Sequence, residues 1–140
     1  MRARLRTGPF SLPEEPHPAR LSRQVTGRLF YAAAFFDALF GTIGAKRQLE
    51  SERFVSWGVA PDKPSIGVIK PYDGQPATVG NGSMTSLYLP TPEAVAAFHK
   101  KALELGGKDE GAPGPRGNDG FYAAYFRDLD GNKLAAFTMG

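Results

Sequence analysis

The chain has 140 residues, 41% hydrophobic and 22% charged, which suffices for one compact domain and excludes two independent ones. It contains no cysteine, which excludes disulfides, thiolate nucleophiles and cysteine-ligated metal centres. It lacks the apolar run of about 18 residues that a membrane helix needs, and residues 1 to 20 lack the apolar segment of a secretory signal. These features predict a soluble, cytoplasmic protein without a membrane partner.

The net charge of +3 is concentrated near the N-terminus. Residues 1 to 28 contain six arginines and two glutamates, whereas residues 29 to 140 contain eleven basic and twelve acidic residues. Prolines interrupt the basic segment, so residues 1 to 20 are predicted to be a flexible leader rather than an amphipathic helix. The remaining chain has no basic stripe with interleaved aromatic residues, and we therefore expect no nucleic-acid partner.

The first half of the chain predicts one helix among short strands. Apolar residues recur every three or four positions over about residues 28 to 42, and glycines follow the end of this pattern. A weak strand pattern precedes the helix at Leu21 to Thr26. Strand-like runs separated by polar residues and prolines follow it, at Lys46 to Glu50, Phe54 to Val59 and Ser65 to Lys70.

The second half repeats this arrangement. A strand at Ser83 to Leu89 leads to a helix for which Thr91 is the predicted N-cap and Pro92 the first residue. A glycine- and proline-rich segment from Gly111 to Gly120 is interpreted as a mobile flap. Strands at Phe121 to Arg127 and Lys133 to Thr138 then form a hairpin, whose Asp-Gly step favours a tight turn over a calcium loop.

Three segments resemble the vicinal oxygen chelate superfamily, which includes glyoxalases, bleomycin resistance proteins and dioxygenases. These are AAAFFDALFGTIGAKR at 32 to 47, KPYDGQPATVGNGSM at 70 to 84 and FYAAYFRDLDGNKLAAF at 121 to 137. The resemblance implies an α+β fold in which residues 21 to 140 form a single domain of two tandem βαβββ modules, about 21 to 80 and 81 to 140. It also implies that the strands form a half-open mixed β-barrel around a shared pocket.

Enzymes of this superfamily hold a divalent metal with His and Glu side chains from four strands. Here Leu21, Met84 and Ala135 stand at three of the matching positions, and the fourth strand offers only Ile66 and Val68 as inward-facing residues. None of these side chains is a ligand for a hard cation. The resemblance therefore predicts no ordinary metal centre and no cofactor, while a metal at non-standard positions stays open.

The two histidines offer little chemistry in their sequence context. His17 lies between Pro16 and Pro18, a pattern typical of a loop rather than a strand inside a barrel. His99 is predicted on the second helix, beside the apolar stripe, as a partly exposed residue rather than a catalytic base.

Without a metal, the residues lining the cavity would decide the function. Alternation places Met84, Ser86 and Tyr88 on one face of their strand, and Ala135 and Phe137 on one face of theirs. Trp57 and Tyr122 are further candidates for aromatic walls. The catalytic residues stay unknown, and Tyr88 is the candidate acid or base if the protein is a metal-free enzyme.

Two functions remain open at this point. The first is a glyoxalase/bleomycin-resistance-like protein that binds a small organic molecule in a metal-free pocket. The alternative is a glyoxalase-like lyase or isomerase, or a dioxygenase-type enzyme, with a divalent metal at non-standard positions. Because relatives often pair, we expect a homodimer.

Overall fold

The computed structural model describes residues 21 to 140. The predicted leader and His17 lie outside the described residues. The described chain contains eight strands and two helices, in the order β1 (Leu21–Val25), α1 (Leu29–Gly41), β2 (Lys46–Glu50), β3 (Phe54–Gly58), β4 (Ser65–Ile69), β5 (Thr85–Tyr88), α2 (Pro92–Glu104), β6 (Lys108–Pro115), β7 (Phe121–Arg127) and β8 (Lys133–Met139).

Both predicted helices are confirmed. Residues that favour helix ends occupy their termini. The Thr91 hydroxyl accepts a hydrogen bond of 3.1 Å from the Ala94 amide, and Pro92 occupies the first turn of α2. Helix α1 ends at Gly41, and Gly44 follows with a φ of 81°, a conformation that favours glycine.

The strands form two four-stranded sheets with the same connectivity. The first has the order β1-β4-β3-β2 and the second β5-β8-β7-β6. In each sheet the first strand of the module pairs in parallel with the last, and the other pairs are antiparallel. This internal repeat confirms the predicted α+β fold of two βαβββ modules.

The two helices cover one face of each sheet and share a single hydrophobic core. Phe40 of α1 stacks on Phe98 of α2 with ring centroids 6.2 Å apart, and Phe126 of β7 lies against the same ring. The helix-covered side of each sheet therefore carries the shared core. We call the opposite side of each sheet its open face.

Side chains, rather than backbone pairing, join the two sheets within residues 21 to 140. The Thr85 hydroxyl donates a hydrogen bond to Gln24 Oε1 at 3.3 Å, which places β5 beside β1. The Asn132 side-chain amide donates to the Val25 carbonyl at 2.8 Å. Closure of the sheets into a half-open barrel remains a prediction from the resemblance.

The interpretation of Gly111 to Gly120 as a mobile flap is wrong for its first half, which belongs to strand β6. The strand pairs with β7 through two register shifts, on either side of Gly111. A Cβ atom on Gly111 would lie 2.8 Å from the Tyr125 ring, so glycine allows this ring to cross the strand. Because this segment is rich in glycine and proline, it lacks the apolar alternation by which a strand is predicted from sequence.

His99 is buried, with 4% of its surface exposed, which corrects the prediction of a partly exposed residue. Its Nε2 atom lies 3.1 Å from Asp109 Oδ1 and 3.2 Å from the Tyr125 carbonyl oxygen. The Gly111 amide and the His99 ring both donate to Asp109 and lower the pKa of that carboxyl. His99 thus ties α2 to the second sheet.

Neither helix of residues 21 to 140 is long and apolar enough to cross a membrane.

Candidate binding face of the second sheet

The open face of the second sheet brings together five of the seven residues predicted to line a pocket. Ser86 is paired with Ala135 and Tyr88 with Phe137, and directly paired residues point to the same side of a sheet. Met84 precedes β5 and borders the cleft at the end of this face. That these residues contact a ligand remains a prediction.

The other two predicted wall residues lie on the helix-covered sides. Trp57 is 1% exposed, packs against Phe36 and Phe40, and donates a hydrogen bond of 2.8 Å from Nε1 to Asp37. Tyr122 packs against the shared core. Alternation shows which residues share a face, but the position of the helix decides which face is buried.

Trp57 and Ser86 nevertheless border the same small cavity of about 150 Å³, where β1 meets β5. Most of the residues around it are apolar, and they come from β1, α1, β3, β4, β5 and the connections near them. Val59, which is 57% exposed, and Ser86 of the open face also border it, so the cavity is not sealed inside the core.

Three aromatic rings form an aromatic cluster at one end of the open face. Tyr88 and Phe137 meet edge to face at 5.8 Å, and Phe121 lies 5.6 Å from Phe137 on the other side. Tyr88 is 60% exposed, so its ring is available from solvent. Sequence reasoning missed Phe121, because only the pairing of β7 with β8 places it on this face.

Three basic residues form a cationic row at the other end of the same face. Lys108 is paired with Arg127, and Arg127 with Lys133, so the three are neighbours across β6, β7 and β8. A cleft of about 620 Å³ opens beside the row, lined by Arg127, Lys133 and residues 79 to 84. Sequence reasoning missed this row, since its members are distant in sequence or on different strands.

The residues present do not fit the metal of the superfamily. Leu21 lies on strand β1, and Met84 and Ala135 belong to the open face of the second sheet. Ile66 and Val68, expected to face inward, pack instead in the core below α1. Their neighbours Ser65, Gly67 and Ile69 have no carboxylate or imidazole, and no group of three metal-binding side chains occurs in residues 21 to 140.

The Asp128 carboxylate is committed to the β7–β8 turn, as predicted for a hairpin rather than a calcium loop. It accepts hydrogen bonds from the backbone amides of Asp130 and Asn132 at 2.9 and 2.8 Å, and from the Asn132 side chain at 2.9 Å. Burial raises the pKa of Asp128, although these hydrogen bonds oppose the rise.

The fold and the open face define a class of paired βαβββ domains in which Leu21, Met84 and Ala135 stand where metal ligands are expected. The chain is 35% identical to a glyoxalase/bleomycin resistance protein from Albidiferax ferrireducens, with a TM-score of 0.77 over 86% of this chain and 97% of that one. The chain therefore belongs to the glyoxalase/bleomycin resistance protein family.

More distant structures share the fold. A lactoylglutathione lyase from Agrobacterium tumefaciens is 17% identical with a TM-score of 0.66, over 91% of this chain and 96% of that one. A fosfomycin resistance protein from Listeria monocytogenes is 15% identical with a TM-score of 0.63, over 85% of this chain and 90% of that one. No family model and no curated protein matches the sequence.

Proposed function

We propose that the protein binds a small organic molecule, with a flat apolar part, on the open face of the second sheet and without a metal ion. The observation that carries this proposal is the exposed aromatic cluster. Tyr88, Phe137 and Phe121 present adjoining rings, and Tyr88 stays 60% exposed although its strand is paired. Exposed apolar surface of this kind is typical of binding sites.

The neighbouring residues suit a flat ligand. Ala135 and Ala123 lie beside Phe137 on the same face and are 2% and 0% exposed, so a ligand would rest on the larger side chains around them. Ser86, opposite Ala135, adds a hydroxyl that can donate or accept a hydrogen bond. A planar molecule resting on these residues would contact the ring edges of the cluster, a geometry that aromatic groups favour.

The binding test uses phenylnaphthylamine, a neutral aromatic probe whose fluorescence rises in apolar surroundings. We expect Tyr88→Ala to weaken its binding about fivefold, since an aromatic contact contributes about 1 kcal/mol. Tyr72→Ala is the matched control, because Tyr72 is also exposed but lies outside the second sheet. Equal affinities for the Tyr88 and Tyr72 variants would refute the proposed site.

The absence of a metal requirement is tested separately on the purified full chain. We expect less than stoichiometric zinc, nickel or iron in element analysis, and unchanged probe binding after chelation. Stoichiometric metal together with turnover of methylglyoxal and glutathione would overturn the proposal and favour the lyase alternative.

We further propose that the chain forms a homodimer in which a second copy covers exposed apolar side chains of the first module. Leu21 and Leu49 of the first sheet, and Phe30 and Tyr31 of α1, remain exposed. Covering them in a homodimer would remove this surface from water. Sedimentation equilibrium should give twice the chain mass of 15.1 kDa, and a monomer at micromolar concentration would contradict the dimer.

A further inference from the structure

We propose that the ligand of the open face is an organic anion, whose carboxylate, phosphate or sulfonate group lies at the cationic row while its flat apolar part reaches the aromatic cluster. This inference rests on the proposed function for the position of the apolar part. The anionic group is inferred independently, from the charges at the opposite end of the face.

The cationic row places like charges side by side. Lys108, Arg127 and Lys133 occupy directly paired positions on three adjacent strands. Like charges at such positions destabilise a sheet. Glu110 compensates only part of this repulsion, since its carboxylate lies 3.5 Å from Arg127. A bound anion would relieve the rest.

Lys133 is the cation best placed to meet a ligand. In residues 21 to 140 no carboxylate lies within salt-bridge distance of its ammonium group. Its Nζ atom stands 5.3 Å from the centre of the Tyr125 ring, which holds the charge over the open face. The cleft that Lys133 and Arg127 line has no carboxylate among its lining residues.

Arg116 adds positive charge beside the same ring. Its guanidinium group lies 5.4 Å from the centre of the Tyr125 ring. It donates hydrogen bonds to the carbonyl oxygens of Ala112 and Gly114, at 2.6 and 2.8 Å. These carbonyls carry no net charge, so Arg116 contributes to a positive potential across this end of the face.

The distance between the two ends sets the size of the ligand. Lys133 and Phe137 are four residues apart on β8, or about 13 Å at 3.3 Å per residue. Ala135 lies between them on the same face and is 2% exposed, so the side chains around it form the surface between the two ends. A molecule of two or three rings with a terminal acidic group spans this distance.

The test compares two probes that differ in one group. Anilinonaphthalene sulfonate carries the anion, whereas phenylnaphthylamine has a similar aromatic body without it. We expect Lys133→Gln to weaken the sulfonate about fivefold and to leave the neutral probe unchanged. Lys63→Gln, at an exposed turn outside the second sheet, makes the same charge change and should affect neither probe.

A second variant tests the inference in the opposite direction. Glu110→Gln removes the carboxylate beside Arg127 and should strengthen the sulfonate about twofold. Added salt should weaken only the sulfonate. Melting curves monitored by circular dichroism verify folding, and Lys108→Gln replaces Lys133→Gln if the latter is unfolded.

The outcomes separate the two proposals. If the charge variants change both probes equally, or neither, the anion inference is wrong and the aromatic site stands. If neither probe binds the unmodified protein, the proposed function fails and this inference fails with it.

Discussion

Asn132 joins the two modules through one side chain. Its amide donates to the Val25 carbonyl of the first sheet at 2.8 Å and to the buried Asp128 carboxylate at 2.9 Å. Burial raises the pKa of Asp128, and the hydrogen bonds that its carboxylate accepts favour the charged form. The asparagine of the turn therefore acts as a structural residue rather than a ligand for a cation.

We predict that Asn132→Ala lowers the free energy of unfolding by about 2 kcal/mol, since it leaves the buried Asp128 carboxylate and the part-buried Val25 carbonyl without this donor. Urea denaturation measures the loss. Asn118→Ala, in the exposed connection before β7, should change stability by less than about 0.5 kcal/mol. Similar losses in both variants would show that Asn132 does not join the modules.

At the residue scale, alternation placed Ser86 and Tyr88 of β5, and Ala135 and Phe137 of β8, on shared faces, and the strand pairing agrees. It did not reveal that Trp57 and Tyr122 lie on the sides that the helices cover. It missed Phe121 and Lys133, since these residues become neighbours of the site only through strand pairing.

Asp37 ties helix α1 to two strands of the first sheet. Its carboxylate accepts a hydrogen bond from Trp57 of β3 and a bidentate pair from Arg47 of β2, at 2.7 to 2.8 Å. The Arg47 guanidinium holds the pKa of Asp37 below its usual value of 3.8, and Trp57 adds to the effect. The ionised carboxylate therefore stabilises the folded state.

This pKa shift predicts a pH-dependent stability difference. Asp37→Asn should lower stability by about 1 kcal/mol at neutral pH, a small value because the carboxylate is 43% exposed. A lowered folded-state pKa stabilises above the unfolded pKa, so the difference should shrink as pH falls below 3.8. Circular dichroism melts from pH 7 to 3 test this, with Asp62→Asn as the control at an exposed turn.

At the element scale, both helices and seven of the eight strands were predictable from periodicity and end signals. Strand β6 was not, because its glycines and prolines have no apolar alternation. Backbone pairing with β7, rather than side-chain pattern, makes this segment a strand.

At the scale of the whole molecule, the repeat of two modules was predictable, but the placement of their faces was not. The resemblance implied a shared pocket, and Trp57 was predicted to line it. In the folded chain both helices occupy a common core, and Trp57 borders the small cavity where β1 meets β5. The distance between the aromatic cluster and the cationic row is set by how the strands of the second sheet pair. It therefore cannot be predicted from local sequence.

The central claim is that one ligand spans both ends of the open face of the second sheet. Met84 borders the cleft beside the cationic row, and Met139 is paired with Phe121 of the aromatic cluster. The methyl groups of these two residues therefore report on the two ends of the face. NMR spectra of methyl-labelled methionine, assigned with Met84→Leu and Met139→Leu, would be recorded during titration with anilinonaphthalene sulfonate. We predict that both methyl signals shift with the same saturation curve, whereas binding of the probe without a shift at either methionine would contradict the claim.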